Sequence, residues 1–199
     1  MKSWTPRWTI EQPADPITCS FGGVPRGLPE ARWPVCRECG IAMTPLLRLV
    51  RGPGPERIPV DEVLFVFKCE AESICDFWDS DSGANACVLV RKAELVGGAR
   101  TPEDVTRGET RLLPQLWASS WFVSEDGISA DQADAIDDPE RFWGLPDSIA
   151  CVHGFDSAKL TKAGGLPYWT GNGPDNDPPR PRRLLFQIDN WITVDGSRA

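Results

Sequence analysis

Phe21-Gly22-Gly23-Val24-Pro25 and Ala163-Gly164-Gly165-Leu166-Pro167 open two stretches that run in parallel. The first passes Trp33 and reaches Leu46-Leu47-Arg48-Leu49; the second passes Trp169 and reaches Leu185-Phe186-Gln187-Ile188. Gly22 lies 24 positions before Leu46 and Gly164 lies 21 before Leu185, so aligning the runs needs a difference of only three residues. Self-similarity on this scale constrains architecture before any single motif does. Two copies are too few for a solenoid. The expected fold is therefore α+β and strand-dominated, with two related half-domains from an internal duplication. The paired glycines supply backbone angles that residues with a Cβ avoid. They are no phosphate loop, because the spacing is wrong and the proline that follows removes an amide.

The copies differ in one slot. The first carries Cys36-Arg37-Glu38-Cys39-Gly40; the second carries a proline-rich loop from Gly173-Pro174 to Pro181. A zinc-knuckle-like insertion is expected in the first half only. Two-residue spacing lets both thiolates of a tight turn face one tetrahedral ion, and Cys69 with Cys75 supplies a second close pair. The predicted metal ligands are Cys36, Cys39, Cys69 and Cys75, with zinc as the cofactor. Four thiolates close the coordination sphere, so such a site stabilises the fold and catalyses nothing. Reduced cysteines packed as small apolar residues are the alternative. A redox role is disfavoured because no βαβ pattern surrounds the C-x-x-C. Cys19, Cys87 and Cys151 sit in or beside apolar stretches and read as structural.

The chain divides into an N-terminal arm (1–20), a first repeat half with the cysteine cluster (21–100), a connecting helical and acidic segment (101–160) and a shortened second half (161–199), within one compact domain. Pro6, Pro13 and Pro16 mark the arm as irregular or as an edge strand anchored by Trp4, Trp8 and Ile10. Strands are expected over 45–50, 63–67, 86–90 and 116–123. Thr101-Pro102-Glu103-Asp104 starts a short helix that Gly108 limits, and Ser129-Ala130-Asp131-Gln132 is a capping box for another, to about residue 136. Asp138-Pro139-Glu140-Arg141 begins a further turn that packs Phe142 and Trp143. The second half lacks the strand pair that follows the apolar run of the first.

At 199 residues, with 19 prolines, 18 glycines and 9 tryptophans, the composition favours short strands and many turns over long helices. A formal charge of −8 opposes binding to a nucleic-acid backbone, which needs clustered Lys and Arg. No apolar stretch follows Met1–Arg7, and none elsewhere could span a membrane, so a cytoplasmic location is expected. Seven cysteines, an odd number, fit a reducing compartment.

Residues 125–140 hold seven acidic residues and no basic one, flanked by Trp117, Trp121 and Trp143. Read plainly, this is a solvated helix face beside core tryptophans. Read functionally, aromatic anchors with a charged rim form a protein interface. Its contact residues are Trp117, Trp121, Asp131, Asp134, Asp137, Asp138 and Trp143. No catalytic set emerges: His153 is the single histidine and its pairing with Cys151 lacks an orienting acid. Asp76, Asp79 and Asp81 fail the EF-hand spacing and read as a turn.

Phe21-Gly22-Gly23-Val24-Pro25 followed by Trp33-Pro34, Cys36-x-x-Cys39-Gly40, Met43 and Leu46-Leu47 resembles the repeat unit of the YwqG-like family of bacterial proteins. Thr161-Lys162-Ala163-Gly164-Gly165-Leu166-Pro167-Tyr168-Trp169, leading to Leu184-Leu185-Phe186-Gln187-Ile188-Asp189, is similar to its second repeat. A more distant likeness runs to the eukaryotic programmed cell death protein family. Arg48 departs from the pattern, which usually has Gln there. The resemblance implies a duplicated, strand-dominated α+β fold and a binding role without chemistry. The function expected is a non-enzymatic protein-binding module, an immunity protein that neutralises a basic bacterial toxin domain by occlusion. The alternatives are a chaperone for a basic nucleic-acid-binding or ribosomal client and a small hydrolase using Cys151 or His153.

Overall fold

The computed structural model describes residues 2–15, 17–71, 75–76, 79, 81–98, 101–125, 131–132, 135, 141, 161–165, 184–189, 192–194 and 197–198. Strands dominate: β1 (Lys2–Thr9), β2 (Ser20–Phe21), β3 (Thr44–Val50), β4 (Glu62–Lys68), β5 (Asn85–Arg91), β6 (Leu116–Glu125), β7 (Lys162–Gly164), β8 (Phe186–Gln187), β9 (Thr193–Val194) and β10 (Ser197–Arg198). Helix among the described residues is limited to α1 (Glu103–Arg107), two 3-10 turns at Glu30–Arg32 and Lys92–Glu94, and the helical residues Asp131, Gln132, Ala135 and Arg141. Gly108, at φ 80, ends α1 as its sequence implies, while Pro102 takes the N-cap position and not the first helical one. Two compact units emerge. One comprises Met1–Trp8, Gly52–Pro55 and Ser119–Ala199; the other comprises Thr9–Arg51 and Glu56–Ala118.

The second of these units runs in the strand order β6-β2-β3-β4-β5, with every pair antiparallel. Its core is built on β4, a run of β-branched and aromatic residues that alternates as a strand with one buried face should. Val63, Phe65 and Phe67 are buried essentially completely, beside Leu49, Val90, Met43 and Trp33. Pro45 sits inside β3 although it has no N–H for a ladder. The register shifts between Pro45 and Leu47, so the strand bulges where the proline interrupts pairing.

In the other unit, β1 pairs antiparallel with β7 (Ser3↔Gly164, Trp4↔Ala163) and parallel with β9 (Trp8↔Val194), with β6 as a further neighbour. The Ser3 and Ser124 hydroxyls share a hydrogen bond at 2.9 Å, and the Ser119 hydroxyl donates to the Arg7 carbonyl at 3.1 Å. The arm is thus a strand paired with several others and not an edge. Pro6 is accommodated because it falls between Trp4 and Trp8, outside both sets of residues paired with β7 and β9. Residues 192–198 do supply a strand pair, β9–β10, but it joins β1 and not β8.

The two glycine segments adopt the same local geometry. Gly22 and Gly23 have φ of 63 and 62; Gly164 and Gly165 have 64 and 69. The Gly22 N–H donates to the Leu46 carbonyl at 2.8 Å, and the Gly164 N–H to the Leu185 carbonyl at 3.2 Å. Phe21 faces Leu47 and Ser20 faces Arg48; Ala163 faces Phe186 and Lys162 faces Gln187. Each short strand also has a second antiparallel partner, Leu116 opposite Phe21 and Trp4 opposite Ala163. Arg48 and Gln187 therefore occupy equivalent places in the two hairpins.

The surroundings of the two leading glycines differ. A Cβ on Gly22 would run into the Pro114 carbonyl, whereas one on Gly164 would lie 3.5 Å from the Lys2 carbonyl, an ordinary contact. Gly164→Ala is expected to cost about 1–2 kcal/mol from its left-handed backbone alone. Gly22→Ala adds a collision with main chain and is expected to cost at least about 3 kcal/mol. Urea unfolding of both variants measures the difference; equal losses would contradict the packing seen at Gly22.

Candidate metal centre

The loop before β3 folds as a tight hairpin, closed by a bridge between Val35 and Ala42. The Cys36 N–H donates to the Ile41 carbonyl at 2.9 Å, and the Gly40 N–H donates to the Cys36 carbonyl at 3.0 Å. Gly40, at φ 75, makes the bend, with open space where a Cβ would lie. Cys69 directly follows β4, and its N–H donates to the Ala84 carbonyl at 2.7 Å. Because Thr44 pairs with Lys68, the exit of the hairpin and the end of β4 are side by side. Register thus brings a pair of cysteines to a third some thirty residues later.

The sulfur atoms of Cys36, Cys39, Cys69 and Cys75 all lie within 4.8 Å of one another. The Cys39 and Cys69 sulfurs are 3.6 Å apart. A tetrahedral ion with Zn–S bonds near 2.3 Å would set its sulfurs about 3.8 Å apart, so the spacing fits a four-thiolate site. Cys36, Cys69 and Cys75 are buried and Cys39 is partly exposed. Burial pushes the Cys36 thiol up, but hydrogen bonds from the Cys39 and Glu38 backbone and from the Cys69 and Cys39 thiols outweigh it, leaving its pKa below the ordinary value. Burial pushes Cys69 up, aided by the Cys39 and Cys36 thiols, and it pushes Cys75 up most strongly. Cys36 therefore ionises more readily than an isolated thiol while Cys69 and Cys75 ionise less readily, and a bound cation would favour ionisation of them all, since only thiolates ligate metal.

Groups around the cluster hold it in place. The Glu38 carboxylate, between the first two cysteines, accepts the Asp76 N–H at 3.2 Å and so ties the loop of Cys75 to the hairpin. The Ala42 N–H donates to Asp104 Oδ2 at 2.8 Å, and the Thr110 hydroxyl donates to the Ala42 carbonyl at 2.6 Å. Trp33 Nε1 donates to the Met43 carbonyl at 2.9 Å while its ring packs on Phe67, with centroids 5.8 Å apart. Glu38 could have been suspected from its place inside the C-x-x-C. Nothing in the sequence marked Asp104 or Thr110, because their partner is a main-chain peptide more than sixty residues earlier.

The other residues singled out by sequence are distributed as follows. Asp76, Asp79 and Asp81 form a turn: Asp76 accepts the Asp79 N–H at 3.2 Å, and Asp79 accepts the Asp81 N–H at 2.8 Å. Cys19 is buried, but Cys87 is exposed on β5, where the alternation leaves only Val90 buried. Trp117 is 3% exposed. Trp121 is half-buried, edge-on to Phe186 with centroids 6.4 Å apart, and its ring occupies the space over Gly54. Asp131 is exposed. Asp134, Asp137, Asp138, Trp143, Cys151, His153 and the 173–181 loop lie outside the described residues. The exposed apolar side chains of β6 are Phe122 and Val123, which the sequence reading did not single out.

Compared with known protein families and with curated proteins, the chain matches none. No helix among the described residues is long and apolar enough to cross a membrane.

Two substitutions probe the support of the cysteine hairpin without touching a sulfur. Asp104→Ala and Thr110→Val each strip the Ala42 peptide of one partner and are expected to destabilise the protein by about 1–3 kcal/mol. Chemical denaturation measures this; a loss well under 1 kcal/mol in both would mean that water replaces these bonds.

Proposed function

We propose that this chain is a non-enzymatic protein-binding module built around a structural zinc ion held by Cys36, Cys39, Cys69 and Cys75. The zinc assignment rests on one observation, the convergence of four sulfurs within 4.8 Å at a spacing suited to a tetrahedral ion. Bound there, zinc supplies folding free energy and offsets half of the charge of the four thiolates, with every coordination position taken by protein. The cysteine hairpin is then a zinc knuckle set into the first of two copies of one unit. The shared register of the two glycine hairpins supports the duplication, and with it the likeness to the YwqG-like family.

The binding role proposed is that of a cytoplasmic immunity protein covering the basic catalytic face of a toxin domain. Its support is Phe122, 57% exposed on a strand that ends in the exposed acid Glu125; Val123, 53% exposed, is turned to the opposite face of the strand. Exposed Asp131 follows within the acidic run, and the formal charge is −8. An exposed aromatic near acidic residues gives affinity through the former and steers a basic partner through the latter.

Two measurements test this. Protein purified without added metal is expected to carry one zinc per chain by elemental analysis, and Cys69→Ser to lose it together with several degrees of thermal stability. Chelation that releases no zinc and leaves Tm unchanged would reduce the cluster to packed thiols. Affinity capture from the native host is expected to retain a toxin domain, and Phe122→Glu to weaken that complex by about a hundredfold without lowering Tm. Capture of a ribosomal or nucleic-acid-binding protein instead would favour a chaperone.

A further inference from the structure

A cavity of about 370 Å³ lies in the unit built on β2–β5, lined by Ile17, Arg26, Gly27, Arg48, Leu95 and Val96 among others. It is within the size range of small-ligand sites. Its walls combine aliphatic side chains with two arginines. Arg48 is 5% exposed, an unusual place for an arginine. Its Nε donates to the Thr18 carbonyl at 2.9 Å and its Nη1 to the Arg26 carbonyl at 3.3 Å, while its Nη2 is buried and makes no hydrogen bond. The Arg26 and Arg48 guanidiniums both sit against the ring of Trp117, at 5.9 and 5.4 Å from its centroid. Trp117 therefore fixes two cations beside one cavity.

Among the described residues neither arginine is in an ion pair; Arg26 Nη1 donates to the Gln12 side-chain carbonyl at 3.2 Å. Asp15 acts on Arg48 only through space, and its carboxylate is exposed and accepts the Ile17 N–H at 2.8 Å. Cys19, adjacent to Arg48, has its thiol pushed up to about 11 by burial and is neutral at pH 7. Burial brings Arg48 down to about 10, which leaves it a cation at that pH. A buried charge is normally paired or fully hydrogen-bonded, and this one is neither. The hairpin itself does not require it: the equivalent place in the other glycine hairpin is filled by Gln187, an uncharged amide.

We propose that this cavity binds a small ligand carrying an oxyanion on a short apolar body, with the anion bridging Arg48 and Arg26 and the body lying against Ile17, Leu95 and Val96. Guanidinium forks match carboxylate and phosphate oxygens; Arg48 Nη2, which has no partner but exposes almost no surface, would meet a bound anion only after its side chain shifts toward the cavity. Arg48 is the affinity-determining group; Arg26, exposed at the rim, closes over the anion.

The test is thermal unfolding and calorimetric titration of the full chain with inorganic phosphate, with hexanoate and with chloride at matched ionic strength. At least one of the first two is expected to raise Tm by a saturable shift of about 2–6 °C over chloride. Hexanoate acting alone identifies a carboxylate with an apolar tail as the ligand type; phosphate acting identifies a phosphate ester. Arg26→Gln, which keeps the carbonyl that Arg48 uses, is expected to weaken binding about tenfold, and Arg48→Gln to abolish it. Arg32→Gln, a surface residue paired with Glu94 elsewhere, is expected to leave it unchanged. If Arg48→Gln does not fold, the Arg26→Gln titration decides. A shift no greater than chloride gives with both probes, or an unchanged response in Arg26→Gln, overturns the proposal and leaves Arg48 as a tie between the Thr18 and Arg26 carbonyls.

Discussion

The register of β3 is the constraint on which the rest of its unit depends. Pairing Phe21 with Leu47 sets the glycine bend on one side, and pairing Thr44 with Lys68 sets the cysteine hairpin beside Cys69 on the other. A slip of one residue would turn Leu47 and Leu49 outward and send Arg48 to the opposite face. The bulge at Pro45 and Leu47 pins that register, since a proline cannot complete a regular ladder there. One strand thus positions both a cluster of sulfurs and a buried cation.

These two features oppose each other electrostatically, and each is incomplete in the same sense. Four thiols at van der Waals distance cannot all ionise without a cation between them, because like charges in a buried site raise one another's pKa values. Arg48, buried beside a cavity and bonded to two main-chain carbonyls, has no ion-pair partner among the described residues, where such burial normally brings one. Both are held in position by groups around them: the Ala42 backbone with Asp104 and Thr110 behind the sulfurs, and the face of Trp117 against the guanidiniums. Geometry prepared in advance lowers the ordering cost of binding.

Much of this arrangement was legible in the residues themselves. The strands over 45–50, 63–67, 86–90 and 116–123 all exist, because runs such as Val63-Leu64-Phe65-Val66-Phe67 combine strand-forming side chains with a suitable period. The four cysteines could be grouped because thiol chemistry leaves few other uses for a C-x-x-C with a second pair downstream. The arm was misread because Pro6 looks disqualifying until its place between two separate pairings is known. Trp117 was grouped with the acidic run by nearness in sequence, whereas its side chain meets Arg26 and Arg48. Single-sequence patterns report which face of a strand is apolar, but not which distant cation or peptide will lie against it.

The spacing of the cluster along the chain also carries a consequence for how the protein is made. Cys36 and Cys39 emerge first, and at ribosomal speeds of roughly 5–20 residues per second Cys75 follows roughly 2–7 s later. Until then an arriving ion would meet two ligands, then three once Cys69 emerges, and a hairpin without its clamps, since Asp104 and Thr110 come later still. For the zinc site proposed above, early capture would therefore be reversible and exchangeable with other metal-binding molecules. Commitment to one ion would then fall near the end of synthesis of this unit, when the partners of Ala42 arrive.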